Sequence, residues 1–288
     1  MKITFIGLGI MGSRMAFHLA ENNVDLTVYN RTTKNNKILK SKGVTIADSL
    51  KSAVKEADIV FSMLSTPEAV EEVFFGNNNT LSSMKNNAIW VDCSTVNPSF
   101  SIKAFKEAEK YKIRFIDAPV AGSKPQAENA ELVFFVGGEK ETIEEVGPYL
   151  NMMGKKVLHI GELGKGASFK MLVNIMLAQS MLIFSEAVLF GEKMGISKNL
   201  LLDLLPNLVV SAPFTKLKAE SIKNEDYDVQ FPLEWMYKDL HLASITAYEQ
   251  SQPLYLTNFT KDLFAEANKN GMRRLDFSAI HKYLEKKN

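Results

Sequence analysis

The chain has 288 residues, a formal net charge of +1, 46% hydrophobic residues and 23% charged residues. That balance excludes a disordered chain and argues against nucleic-acid binding through bulk charge, and the length calls for two domains or one large one. A lone cysteine, Cys93, rules out an intrachain disulfide and a CxxC metal site.

Met1-Lys2 runs straight into Ile3–Ile6, which reads as a strand with no leader segment ahead of it. With the single cysteine, this points to a reducing, cytoplasmic setting. Further strands are expected at Asp25–Tyr29, Ile59–Met63, Ala88–Asp92, Arg114–Ala118, Leu132–Val136 and Val157–Ile160. Helical patterns sit between them, including Ser13–Glu21, Ala47–Asp58 and Ser99–Lys110. Strand–helix–strand alternation implies parallel pairing and right-handed crossovers, hence a doubly wound α/β domain. The tracts Lys34-Asn35-Asn36-Lys37 and Asn77-Asn78-Asn79 read as solvated surface.

Strand signals nearly vanish after Gly161-Glu162-Leu163-Gly164. Ala167–Met194 reads as one long helix, stopped by Gly195. Its Met171–Ser185 stretch carries no charge, falls short of the roughly 18 to 20 residues needed to span a bilayer, and is expected to be buried on nearly all sides. Helices are expected at Lys198–Leu205, Pro213–Lys223, Phe231–Gln250, Pro253–Asn270 and Ser278–Lys286. The domains are therefore 1–162, an α/β sheet, and 163–288, all helical.

The first strand is followed by Gly7-Leu8-Gly9-Ile10-Met11-Gly12, a GxGxxG. The first glycine permits a tight turn, the second lets the backbone approach a pyrophosphate, and the third lets the helix pack on the sheet. The helix N-terminus offers N–H groups and a positive dipole end to phosphates. Placed between a strand and an amphipathic helix, the motif reads as the dinucleotide loop of a Rossmann domain. The second strand ends at Asn30-Arg31-Thr32, where an NAD-selective site places a carboxylate on the ribose 2′-OH. A cation there, with Lys34 nearby, attracts a 2′-phosphate, so NADP(H) is expected over NAD(H). Met63-Leu64-Ser65 closes the next strand and should line the same cleft, whether or not Thr66 also caps the helix after it.

Several separated motifs together resemble the β-hydroxyacid dehydrogenase family. They are Gly7–Gly12, Asp92-Cys93-Ser94-Thr95, Asp117-Ala118-Pro119-Val120-Ala121-Gly122, Gly164-Lys165-Gly166-Ala167-Ser168-Phe169-Lys170 through Asn174, and Phe231-Pro232-Leu233 with Lys238-Asp239-Leu240. The match spans essentially the whole chain. Gly122-Ser123-Lys124-Pro125 and Arg31 look most like the glyoxylate/succinic semialdehyde reductases of that family. The chain departs from the family pattern at Ala121, where the family usually carries a serine whose hydroxyl helps hold the substrate carboxylate.

Lys170 and Asn174 stand four apart on the long helix and share a face. Carbonyl reduction builds negative charge on oxygen, and a lysine there stabilises that charge and donates the proton. The resemblance assigns this role to Lys170, with Asn174 positioning it or the substrate; read alone, Lys170 equally suits a lysine snorkelling to water. By resemblance, Thr95 contacts nicotinamide and substrate, with Ser94 beside it, although both also suit helix capping. Backbone N–H groups at Ala121, Gly122 and Ser123 could cradle a carboxylate, or form a plain turn before Pro125. The resemblance places Phe231 at the substrate pocket, Lys238 at the cofactor and Asp239 near Lys170. His18, His159, His241 and His281 show no metal-ligand spacing, and no metal is expected. Cys93 reads as a buried small residue or a site of oxidative inhibition.

The leading expectation is an NADPH-dependent reductase of small aldehyde or keto acids. A 3-hydroxyisobutyrate-type dehydrogenase is the alternative within the class; a non-catalytic NADP-binding interaction module is the alternative outside it. The imine reductases share the architecture but usually lack the lysine. We expect a carboxylate-bearing small-molecule substrate, no nucleic-acid or membrane partner, and a homodimer or homotetramer formed through the helical domain.

Overall fold

Ile3, Phe5 and Ile6 are wholly shielded from water because their strand lies inside a sheet covered on both faces. The computed structural model describes residues 1–32 and 36–287, without the side chains of 36–38. Lys34 and the side chains of Asn36 and Lys37 therefore lie outside the described residues.

The chain builds β1 (Lys2–Ile6), α1 (Gly12–Glu21), β2 (Asp25–Tyr29), α2 (Asn36–Ser41), β3 (Thr45–Ile46), α3 (Leu50–Val54), β4 (Ile59–Ser62) and α4 (Pro67–Phe74). It continues through β5 (Ile89–Asp92), α5 (Pro98–Glu109), β6 (Arg114–Asp117), β7 (Val120–Ala121), α6 (Lys124–Glu128), β8 (Leu132–Gly137), α7 (Lys140–Met153) and β9 (Gly154–Gly161). The helical part follows as α8 (Lys165–Lys193), α9 (Lys198–Leu204), α10 (Thr215–Lys223), α11 (Leu233–Glu249), α12 (Tyr255–Ala267) and α13 (Ile280–Lys287).

The sheet order is β3-β2-β1-β4-β5-β6-β8, and the first six of these strands run parallel. The order reverses direction between β1 and β4, which makes the carboxyl ends of these two strands the switch point where such sheets bind ligands. Alternate residues feed two cores. Ile3, Phe5, Ile59, Phe61, Ile89 and Val91 meet α1 and α7, whereas Ile6, Val60, Trp90 and Phe115 meet α3, α4 and α5.

The sheet is parallel-dominated as expected, with one departure at β8. β6 and β7 pair with β8 antiparallel in one continuous register, Asp117↔Gly137, Val120↔Phe134 and Ala121↔Val133. The connection from Ala121 to Leu132 is too short for a parallel crossover, so the chain folds back instead. β9 then adds to β8 in parallel. The helix expected over Ala47–Asp58 shortens to α3, capped by Ser49. Beyond it the Asp58 N–H already pairs with the Lys2 carbonyl at 2.8 Å, pulling the chain back to the sheet.

The described chain divides into two units, Met1–Met171 and Leu172–Asn288. The sequence boundary at 162/163 falls where β9 gives way to α8; the first unit runs on into the first turns of that helix. In the second unit Ala178, Met181, Phe184 and Val188 of α8 pack with Leu201, Ile222, Met236, Leu240, Phe264 and Ile280. Gly195, at φ +88°, ends the helix in the left-handed region, where a side chain would be strained.

Burial of α8 on nearly all sides is not what the structure shows. The helix is long and apolar enough to cross a membrane by length and composition, with a mean hydropathy of 1.7 over 18 residues, of which 44% are buried. Leu172, Met176, Ile183, Phe190 and Met194 are 58–70% exposed.

Candidate active site

The glycine loop is shaped by sterics at three positions. Gly7 has φ +96°, and a Cβ there would sit 2.4 Å from the Met63 carbonyl oxygen. A Cβ on Gly12 would lie 1.9 Å from the Gly7 carbonyl oxygen, so only glycine lets α1 start against the loop. On Gly9 a Cβ meets no atom of the described residues within 4 Å. The backbone is thus closed at 7 and 12 and open at 9, at a helix N-terminus, which fits the pyrophosphate of a dinucleotide.

Asn30 fastens this loop to β2. Its Oδ1 accepts the Leu8 N–H at 2.9 Å, and its Nδ2 donates to the Thr32 carbonyl at 2.7 Å and hydroxyl at 3.1 Å. Gly7 N–H donates to the Tyr29 carbonyl at 3.0 Å. Arg31 and Thr32 are exposed beside this clamp, and no carboxylate stands among Asn30, Arg31 and Thr32. Ile10 and Met11 are partly exposed in the loop, and Leu8 is buried beneath it.

A second hydrogen-bond chain holds the neighbouring strand ends. Trp90 Nε1 donates to Ser62 Oγ at 2.8 Å, and Ser62 Oγ donates to Asp92 Oδ1 at 2.8 Å. Ser94 N–H reaches the same carboxylate oxygen at 3.1 Å, while Ser94 Oγ accepts the Leu64 N–H at 2.9 Å. Ser94 is buried, so its hydroxyl fastens the Met63-Leu64-Ser65 turn, where the sequence pointed to substrate contact. Thr95 is only partly buried at the strand end, and Ser65 is exposed. Cys93 is fully buried, and burial reinforced by the Asp92 charge pushes its thiol well up. It is an inert core residue, because oxidation needs an accessible thiolate.

Ser123 is also already engaged: its N–H donates to Gln126 Oε1 at 2.9 Å and its hydroxyl to the same oxygen at 3.1 Å. That leaves the carboxylate cradle expected at 121–123 without the Ser123 N–H. Gly122 has φ +115°, and a Cβ there would meet Gln126 Cβ and Leu132 Cδ2 at 2.9 Å.

The start of α8 is anchored in the first unit by Asp117. Its Oδ1 accepts the Gly164 N–H at 2.7 Å and its Oδ2 the Ala167 N–H at 2.6 Å, which serves the helix's unpaired first amides. Burial pushes Asp117 up to about 6, against the pull of those donors. A Cβ on Gly166 would lie 2.3 Å from the Phe135 carbonyl oxygen, so the helix meets the sheet backbone to backbone. The Phe169 ring packs on Phe135 at 4.8 Å. One residue later comes Lys170, buried on this rigidly seated turn.

Asn174, Asp239 and Lys238 come together in the second unit. Asn174 Nδ2 donates to Asp239 Oδ2 at 2.6 Å, and Lys238 Nζ lies 2.8 Å from Asp239 Oδ1. Asn174 and Asp239 are buried, and among the described residues Asn174 Oδ1 meets no hydrogen-bond donor, so it remains an acceptor. Phe231 belongs to a different cluster, with its ring 5.8 Å from that of Phe277 and its N–H on Asp276. Sequence reasoning missed Asp117 as the anchor of α8, and it missed Asp276; both partners lie too far along the chain for spacing to reveal them. Among the described residues no three His, Cys, Asp or Glu side chains are grouped to hold a metal ion.

Residues 2–161 match the model of the NAD binding domain of 6-phosphogluconate dehydrogenase, and residues 164–284 match that of the NAD-binding domain of NADP-dependent 3-hydroxyisobutyrate dehydrogenase. The chain belongs to the β-hydroxyacid dehydrogenase family. Among its relatives in that family is glyoxylate/succinic semialdehyde reductase 2, chloroplastic, of Arabidopsis thaliana, 34% identical over 99% of this chain and 79% of the relative. Glyoxylate/succinic semialdehyde reductase 1 of the same plant is 32% identical over 97% of each chain. The solved structure of Mycobacterium tuberculosis 3-hydroxyisobutyrate dehydrogenase with L-serine is similar at a TM-score of 0.89 and 28% identity, over 98% of each chain. Like the family, this β-hydroxyacid dehydrogenase is an NAD(P)-dependent oxidoreductase.

Proposed function

We propose that this β-hydroxyacid dehydrogenase is an NADPH-dependent reductase of small aldehyde and keto acids, with glyoxylate and succinic semialdehyde as its first candidates. The buried Lys170 carries the reading. Its helix is fixed to the sheet by Asp117 and Gly166, so the ammonium is held at one place, where preorganised positive charge stabilises an anion forming beside it. A reduced nicotinamide dinucleotide would rest its pyrophosphate on the 7–12 loop, which Asn30 fastens, beside the Met63–Ser65 turn, and when bound would supply the hydride. Lys170 stabilises the charge that grows on the carbonyl oxygen and gives the proton to that oxygen. Asn174, its amide oriented by Asp239, offers Oδ1 as an acceptor one turn further along α8. Arg31 favours the 2′-phosphate of NADPH. The names of the two Arabidopsis relatives support the substrate class.

Following NADPH absorbance over a panel of aldehyde acids tests the reading. Turnover should appear with NADPH, and Lys170→Ala should lose at least about a hundredfold in kcat, the lower end for a general acid, while still binding NADPH. Near-normal turnover in that variant would refute the assignment. A panel in which only 3-hydroxyisobutyrate oxidation proceeds would move the protein to that branch of the family.

A further inference from the structure

Asp276 is a buried carboxylate with several hydrogen-bond donors around it, apart from the cofactor loop and from Lys170. Its Oδ1 accepts the Ser278 N–H at 3.1 Å and hydroxyl at 2.7 Å. Its Oδ2 accepts the N–H groups of Gln230 at 3.3 Å and Phe231 at 3.1 Å. Lys218 Nζ, on α10, lies 2.8 Å from Oδ1, and the two side chains are 5% and 2% exposed. Lys218 Nζ also donates to Gln230 Oε1 at 3.2 Å and stands 5.0 Å from the centre of the Phe277 ring. The backbone is pinned on both sides, with Asp276 N–H on the Tyr227 carbonyl at 3.0 Å and Phe277 N–H on that of Phe231 at 2.9 Å. Leu233 N–H closes on the Leu275 carbonyl at 2.9 Å, at the first residue of α11.

We propose that Lys218 and Asp276 are positioning residues that set Phe231 and the start of α11, and through α11 the Lys238–Asp239–Asn174 cluster. An apolar pair of similar volume would hold a core about as well as a buried ion pair. What it would lack is an acceptor for two successive backbone N–H groups at 230 and 231. A bare carboxylate could supply the acceptor, but it would be expensive to bury without the lysine. The pair therefore fixes where Phe231 stands, and this matters for catalysis if Phe231 bounds the substrate, so the inference rests on the reductase reading.

The test compares Lys218→Met, Lys218→Arg and wild type, with Asp276→Asn read in the same way should Lys218→Met fail to fold. Three measurements are taken well below each melting temperature: KM and kcat for the preferred aldehyde acid, NADPH affinity by fluorescence, and amide exchange at Gln230, Phe231 and Leu233. Expected for Lys218→Met are a rise of about tenfold in KM for the aldehyde acid, the effect of misplacing a bound group, faster exchange at the three amides, and NADPH affinity within about twofold of wild type. Lys218→Arg, which keeps the charge, should recover most of the loss. An unchanged KM alongside faster exchange would make the pair purely structural and overturn the proposal; so would NADPH affinity falling as steeply as substrate affinity. If the wild type reduced none of the panel, the reductase reading would fail on its own. Unchanged exchange in Lys218→Met would then overturn the positioning claim, and faster exchange would uphold the pair's hold on Phe231.

Discussion

Arg31 is exposed at the end of β2, beside an asparagine whose amide is already spent on the glycine loop. Among the described residues at this strand end, it is therefore a charge available for discriminating a 2′-phosphate. Arg31→Ala should weaken NADPH by about tenfold or more, the worth of a charge-assisted hydrogen bond, and leave NADH nearly unchanged. Equal losses for both cofactors, measured by titration, would remove Arg31 from the selectivity. His281 makes a different prediction. Its ring is buried with neither nitrogen hydrogen-bonded among the described residues, and burial, aided by Lys198 and opposed by Glu285, lowers it from 6.5 to about 4. The unfolded chain then binds the proton more readily than the native one, so stability is complete above 6.5 and declines as pH falls toward 4. By pH 5 the loss from this group is about 2 kcal/mol. Asp117, raised to about 6, works in the opposite sense, favouring the fold below 3.8 and losing that contribution as pH rises through 6. His281→Leu should flatten the fall in urea midpoint between pH 7 and 5, and an unaltered fall would clear His281. The Asn30 and Lys170 positions were legible in the sequence because a motif surrounds each. The burial of His281 was not, since one polar residue in an amphipathic stretch gives no hint of which side it faces.

At the scale of elements, the glycine loop and α8 share one logic, which is contact between backbones that only glycine allows. Helix propensity alone would favour Gly166→Ala by about 1 kcal/mol. A Cβ 2.3 Å from the Phe135 carbonyl oxygen decides otherwise. The variant should melt lower, and its kcat should fall further than its NADPH affinity, because the first two turns of α8 carry Lys170 and no part of the glycine loop. A variant of normal kcat would mean that the seating of α8 does not govern Lys170. The sequence disclosed α8 through its long uncharged run, and the central strands through apolar runs bounded by turn residues. It did not disclose β3 and β7, each of two residues and too short for any period. Nor did it disclose the reversal at β8, which follows from a short connection rather than from composition. Asp117 stands 47 residues before the amide it accepts at Gly164, a link only the folded sheet makes.

For the whole molecule the open question is what covers α8. At 100° per residue, Leu172, Met176, Ile183, Phe190 and Met194 fall within roughly 40° of one another around the helix. A seam of five large, exposed apolar side chains is more than an isolated soluble chain ordinarily leaves to water. Leu200, Leu204 and Leu208, further along the same unit, are also exposed. A second copy of this chain brings an identical seam, as a twofold interface requires. We therefore expect a homodimer, or a tetramer built from it, with the seam at its centre. Sedimentation should give twice or four times the 32.2 kDa chain mass. Ile183→Lys, mid-seam, should move the protein to a smaller species without altering NADPH affinity, since the glycine loop belongs to the other unit. A wild-type monomer at micromolar concentration would defeat the expectation. If that monomer also floated with lipid vesicles, the cover would be a membrane surface instead.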